Sequence, residues 1–172
     1  FEFSSNNEPE AGVFLIYDEA TLRDFASRVN AAEENFDTTY PTAKVTANIE
    51  LTKPWVSING YTGTFDGGNH EIVNLDAPLF STTSATIKDL HLVDVDIQAN
   101  TQYLGALVGQ YKGTSVTNCS SSGEIVIENY TYNARIGGLI GVTQTATTLS
   151  KLRNSANITF SGNITVTALS NF

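Results

Sequence analysis

Two histidines, His70 and His91, one cysteine and a scatter of carboxylates are the groups of this chain able to bind a metal or move a proton. A zinc site needs three or four converging ligands, usually announced by close His and Cys pairs. No His-x-x-x-His or Cys-x-x-Cys spacing occurs here. Both histidines therefore read as turn or surface residues, His91 facing outward between Leu90 and Leu92. Asp94 and Asp96 are better placed, because residues two apart on a strand share a face. With Asp66 or Asp89 from a neighbouring segment they form a candidate oxygen site for Ca²⁺. The plainer reading is a solvated acidic face, and no EF-hand loop is present.

Cleaving an acidic polysaccharide on a strand surface needs carboxylates and Arg or Lys on one face. Arg23 and Arg28 fall in a helical segment, and Arg135 and Arg153 in separate repeats. A glycoside hydrolase needs two acids flanking a groove, and no spacing here marks such a pair. No catalytic residue is assigned. Binding is better served, since sugar rings stack on aromatic faces while amides and carboxylates read their hydroxyls. Trp55, Tyr61, Tyr103, Tyr111, Tyr130 and Tyr132 supply such faces. Within Asn129-Tyr130-Thr131-Tyr132-Asn133 two tyrosines point the same way, so Asn129, Tyr130 and Tyr132 are the candidate ligand-binding residues. Surface packing is the competing reading. Cys119 reads as a buried thiol, and being alone it forms no intrachain disulfide.

The elements that must position these groups follow from hydrophobic periodicity. Residues 1–12 are polar and read as an arm or linker. Val13–Tyr17 reads as a buried strand. Asp18 is a helix N-cap and Glu19 suits the first turn. Leu22, Phe25, Ala26 and Val29 then recur at helical spacing, predicting a helix over about 19–30. From Lys44 the pattern alternates, with Val45, Ala47, Ile49 and Leu51 on one side. Between Ile87 and Ile97 the phase slips: Leu90 and Leu92 share one side, Val93, Val95 and Ile97 the other. A corner or bulge produces such a slip.

The second half repeats. Leu104-Gly105-Ala106-Leu107-Val108-Gly109 recurs as Ile136-Gly137-Gly138-Leu139-Ile140-Gly141. Each copy leads to an apolar-x-Asn unit, Val116-Thr117-Asn118 or Leu152-Arg153-Asn154, and then to Ile125 and Ile127 or Ile158 and Phe160. Several short strands in a repeat of about thirty residues are the mark of a solenoid. Stacked repeats bury what one repeat cannot, and Asn at recurring turns can form hydrogen-bonded ladders. The expected fold is all-β, a parallel β-helix or β-solenoid, with residues 13–43 as an N-terminal cap and 44–172 as its coils. Ile164, Val166 and Leu169 read as a further coil, so the chain is expected to continue.

Composition bounds the partners. The net charge is −9 and charged residues make up 16% of the chain, with nine Lys and Arg against eighteen acids. No basic stripe for nucleic acid is available from such a set, nor one for an anionic membrane surface. The longest apolar run is too short to span a bilayer. Sequons fall at Asn118, Asn129, Asn157 and Asn163; in a chain this rich in Asn, Ser and Thr, chance explains them most simply.

Several stretches resemble the GLUG-motif repeat proteins of bacterial surfaces, notably of the Bacteroides type. Leu22–Asn30 is similar to the helix that precedes such arrays, and Thr46–Leu51 to a first coil. Trp55–Leu75 follows a pattern of Trp-x-x-Ile, Phe-Asp-Gly and Ile-x-Asn-Leu elements. Gly105–Gly109 and Gly137–Gly141 correspond to the naming repeat. Gly68-Asn69-His70 and Ala106 depart from the pattern. The resemblance implies a secreted or surface-anchored module, outer-membrane-anchored in a bacterium, beside further domains. It implies no catalytic residue and no cofactor. The function expected is adhesion or display of an extracellular glycan or protein ligand. The alternatives are a polysaccharide-acting enzyme or its accessory domain, and a structural spacer.

Overall fold

The computed structural model describes residues 10–129 and 134–162. β1 (Val13–Ile16) leads into α1 (Glu19–Asn30) and the single turn α2 (Phe36–Thr39). A first pass follows, with β2 (Thr42–Val45), β3 (Ile49–Glu50) and β4 (Ile58–Asn59). The second holds β5 (Thr64–Val73) and β6 (Phe80–Thr83). The third holds β7 (Thr86–Ala99), β8 (Tyr103–Leu104) and β9 (Val108–Tyr111). The fourth holds β10 (Ser115–Glu128), β11 (Arg135–Ile136) and β12 (Ile140–Thr143). The last described pass holds β13 (Thr148–Ser150), β14 (Arg153–Asn154) and β15 (Asn157–Ser161).

Strand dominates, and the sheets are parallel. The main sheet runs β1-β2-β5-β7-β10-β13, with β3 on β5 and with β14 and β15 on β10. A second sheet runs β12-β9-β6-β4, and β8 pairs with β11. Like stacks on like: Phe65 faces Ile87, Ile87 faces Val116, and Ile125 lies between Ile97 and Ile158. The repeat read from sequence is in register, with Leu104 opposite Ile136 and Val108 opposite Ile140.

Left-handed corners explain the phase slip. Asp89 and Asp94 have φ of 54° and 50°. Each such residue turns the chain without ending the strand, so the inward positions become Ile87, Leu90, Leu92, Val95 and Ile97, all buried. Val93 is half-buried, and the slip falls at Asp94 rather than before it. Asn69 and Asn118 hold the same conformation at the equivalent corner, with φ of 60° and 52°. Asn and Asp tolerate that region better than other residues with a Cβ, which is why they recur there.

The two apolar-x-Asn units are not equivalent. Asn154 lies opposite Ser121, and Ser150 lies opposite Thr117, so it is Lys151 (φ 52°) that stands over Asn118. Asn154, itself exposed, packs against Gly138 instead, where its Oδ1 accepts hydrogen bonds from the Ser121 hydroxyl at 2.8 Å and the Ala156 N–H at 3.1 Å. A Cβ on Gly138 would fall on that side chain.

At the N-terminal end α1 buries Leu22, Phe25, Ala26 and Val29. Asp18 caps it reciprocally with Thr21: the Thr21 N–H donates to the carboxylate at 2.8 Å, and the Asp18 N–H donates to the hydroxyl at 3.1 Å. Beneath the helix Phe25 meets Phe14, Phe36, Tyr61 and Phe65 with ring centroids 4.9–5.8 Å apart. Glu19 accepts from the Thr52 hydroxyl at 2.7 Å, and Arg23 donates to the Lys53 carbonyl at 2.7 Å, so polar contacts latch the helix to the first pass. At the other end, Leu149, Ile158 and Phe160 continue the inward stack, yet they are exposed and no described residue covers them.

Candidate functional site

The passes lengthen along the stack. Residues one pass apart are separated by 22 residues at Tyr61–Thr83, by 29 at His91–Ser120 and by 33 at Thr117–Ser150. The second pass leaves β5 and reaches β6 through a short link containing Ala77 and Pro78. The third continues β7 to Ala99 and adds β8 before turning into β9. The longer pass therefore overhangs the shorter one, and the overhang encloses a groove of about 410 Å³.

Its floor is Asp76, Ala77 and Pro78; its wall is Gln98, Thr101, Gln102 and Tyr103, with Gln110 and Thr82 on the strand beside them. Several of these polar groups are already engaged. Asp76 Oδ1 accepts from the Trp55 N–H at 2.7 Å, Gln110 Oε1 accepts from Gln144 Nε2 at 3.1 Å, and the Thr101 hydroxyl donates to the Tyr103 carbonyl at 3.2 Å. The side-chain amides of Gln98 and Gln102 and the Tyr103 hydroxyl have no hydrogen-bond partner among the described residues. The Asp96 N–H donates to the Leu75 carbonyl at 2.9 Å. Gln98, two residues on, directs its backbone groups to the same side, past the end of β5.

Of the sequence-derived candidates, Asn129, Asp94 and Asp96 lie outside the groove's lining. Tyr130 and Tyr132 lie outside the described residues. Asn129 sits at a left-handed corner with φ of 45°, and its N–H donates to the Ser161 carbonyl at 3.1 Å. Asp94 and Asp96 are exposed on either side of buried Val95, and Asp96 lies opposite Glu124 on the next strand. The acids that would complete a Ca²⁺ site are held elsewhere: Asp66 by Lys88 Nζ at 2.9 Å, Asp89 by Asn118 Nδ2 at 2.6 Å. His70 Nδ1 contacts Asn48 Oδ1 at 3.3 Å and His91 Nδ1 contacts Ser120 Oγ at 2.8 Å, on different corners. Among the described residues no three His, Cys, Asp or Glu side chains come together to hold a metal ion.

Among the described residues, most of the aromatic surface expected from the sequence is internal. Tyr61, Tyr111 and Trp55 are buried. Tyr61 donates to the Tyr40 carbonyl at 2.9 Å, and Tyr111 is within 2.8 Å of both the Ala85 and Ser115 carbonyls. Each tyrosine folds over a glycine two residues on, Gly63 or Gly113, where a Cβ would meet the phenol. Burial raises both phenol pKa values. Tyr103 is the half-exposed member of the set, and it lines the groove. Cys119 is buried, and burial pushes its thiol up to about 12. The glutamines of the groove carry no motif; the signal for them is the longer spacing between Ile97 and Val108 than between Leu75 and Phe80.

Parallel sheets, a helix latched over one end and a polar groove define a mostly-β module whose described residues hold no metal cluster. Residues 16–123 match the family described as M26 IgA1-specific Metallo-endopeptidase N-terminal region, and the chain belongs to that family. The match spans the helix and the whole groove. No curated protein matches the chain, and no solved structure does.

Proposed function

We propose that this chain is a non-catalytic display module: a parallel β-solenoid with an N-terminal capping helix, of the kind implied by its resemblance to GLUG-motif repeats. It works at a bacterial surface or secreted from it, beside further domains of a longer protein. It holds an extracellular glycan or a protein, and it needs no cofactor to do so. The observation that carries the reading is the groove, where amide and phenol groups without a partner among the described residues stand at a step in an otherwise paired framework. In-register parallel pairing through successive passes supports the solenoid. Exposed Leu149, Ile158 and Phe160 support a neighbour that covers them.

The family match favours one specific form of this role, an accessory region that presents or positions material for a metallo-endopeptidase. In that form the catalytic metal and its ligands belong to other parts of the longer protein. Among the described residues no helix is long and apolar enough to cross a membrane.

Arrays of glycans and of surface proteins, probed with the purified chain and assayed in the same wells for released product, test the reading. Retention without release is the expected result. Release of product supports the polysaccharide-acting alternative and overturns ours, and silence on both arrays favours a spacer.

A further inference from the structure

We infer that the overhang groove is a binding site for a short neutral oligosaccharide, read by Gln98 and Gln102 and packed on Tyr103; the inference rests on the ligand-display reading. The groove's volume of about 410 Å³ falls within the ~300–1,000 Å³ of small-molecule sites. Its chemistry selects among ligands. Among the described residues no Lys or Arg lines it, so phosphate, sulfate and uronate groups would enter without a counter-charge. Among the described residues its one carboxylate is Asp76, whose Oδ1 accepts the Trp55 N–H, and a single carboxylate falls short of the roughly six to eight oxygens that a calcium ion takes.

What remains is neutral and bifunctional. A primary amide donates and accepts side by side, which matches the paired hydroxyls of a sugar ring. Gln98 and Gln102 offer two such amides, neither engaged by a described residue. Tyr103 adds a half-exposed side chain for the apolar face of a pyranose and a hydroxyl with no partner among the described residues. The small residues Ala77, Pro78 and Ala99 leave room for the ring. An extended peptide is the competing occupant, since it could pair with an open strand edge. Beyond Asp96, however, the backbone of Gln98 offers one residue of such edge in β7 before the strand ends at Ala99. A peptide strand needs a run of them.

The test probes wild type with a panel of neutral, sialylated and uronate-containing oligosaccharides and with extended peptides. It then measures Gln102→Ala, Tyr103→Ala and Tyr103→Phe, with Tyr17→Ala, exposed on the cap, as control. We expect a neutral oligosaccharide to be retained, about tenfold weaker binding in Gln102→Ala and Tyr103→Ala, a smaller loss in Tyr103→Phe, and no change in Tyr17→Ala. Titration of wild type with that sugar should also shift the side-chain amide resonances of Gln98 and Gln102, a readout that needs no variant to fold. Preference for acidic sugars, groove-dependent peptide binding, or sugar binding indifferent to the groove variants each overturns the inference while leaving ligand display standing. Absence of any ligand, glycan or protein, sinks both.

Discussion

The side-chain amide of Asn118 lies 2.6 Å from the Asp89 carboxylate and 3.0 Å from Asn69 Oδ1, so one residue ties together the corners of three successive passes. All three residues have φ between 52° and 60°. The left-handed corner and the ladder have one cause: a short polar side chain tolerates the backbone and, stacked, bonds its neighbours.

Asn118→Ala removes the amide and leaves a Cβ where the backbone disfavours one. Adding the two effects gives a loss of about 2–3 kcal/mol. Asn118→Gly keeps the corner and loses only the ladder, so its loss should be smaller. Urea unfolding of the pair checks this; an alanine variant as stable as the glycine variant would refute the corner argument. The same bonds make Asn118 unsuitable for glycosylation in the folded chain, because the sugar would attach to the bonded Nδ2.

The cap should respond to acid through Glu19. The Thr52 hydroxyl, with Arg23 beside it, holds the Glu19 carboxyl at about 2 against its ordinary 4.5. A carboxyl with a depressed folded value stabilises fully above its unfolded value and loses that contribution as pH falls toward the folded one. Wild type should therefore lose stability between about pH 4.5 and pH 2 more steeply than Glu19→Gln. Melting temperatures of both proteins across that window decide it, and parallel curves would mean the Thr52 latch carries no free energy.

Cys119 should be silent toward thiol reagents. It is buried opposite Leu90, and its thiol is pushed up to about 12, leaving almost no thiolate at pH 8. Labelling with an aromatic disulfide reagent should wait for denaturant and follow the unfolding curve. Rapid labelling of the native chain would contradict the packing of that layer.

Much of the framework was legible because it rests on local rules. The helix over Glu19–Asn30 follows from an N-cap, a helical stripe and the fraying after Val29. The register of Leu104–Gly109 with Ile136–Gly141 follows from near-identical spacing. The site was not legible. Tyr61, Tyr111 and Trp55 are amphipathic, and sequence alone does not say whether a phenol or indole faces solvent or finds a carbonyl inside. Asn154 reads as a turn residue, whereas one pass of 33 residues brings its side chain against Gly138 and the buried Ser121. The groove arises from unequal pass lengths, a relation between distant segments that no single motif carries.

The contact of Asn154 with Gly138 gives a paired prediction. Gly138→Ala should cost about 1–3 kcal/mol, because the new methyl meets the Asn154 amide. Combining it with Asn154→Ala should relieve part of the clash, giving a favourable coupling of about 1 kcal/mol in a double-mutant cycle. Simple additivity would place Asn154 elsewhere than against Gly138.

The proposed role of this module is to hold ligand without turning it over. Its most direct test incubates the purified chain, at saturating zinc, with a mixed panel of peptides and polysaccharides and follows every substrate by mass spectrometry. The account predicts that all of them stay intact while the bound ligand is recovered unchanged. Cleavage that scales with protein concentration, is zinc-dependent and stops with chelator would contradict it.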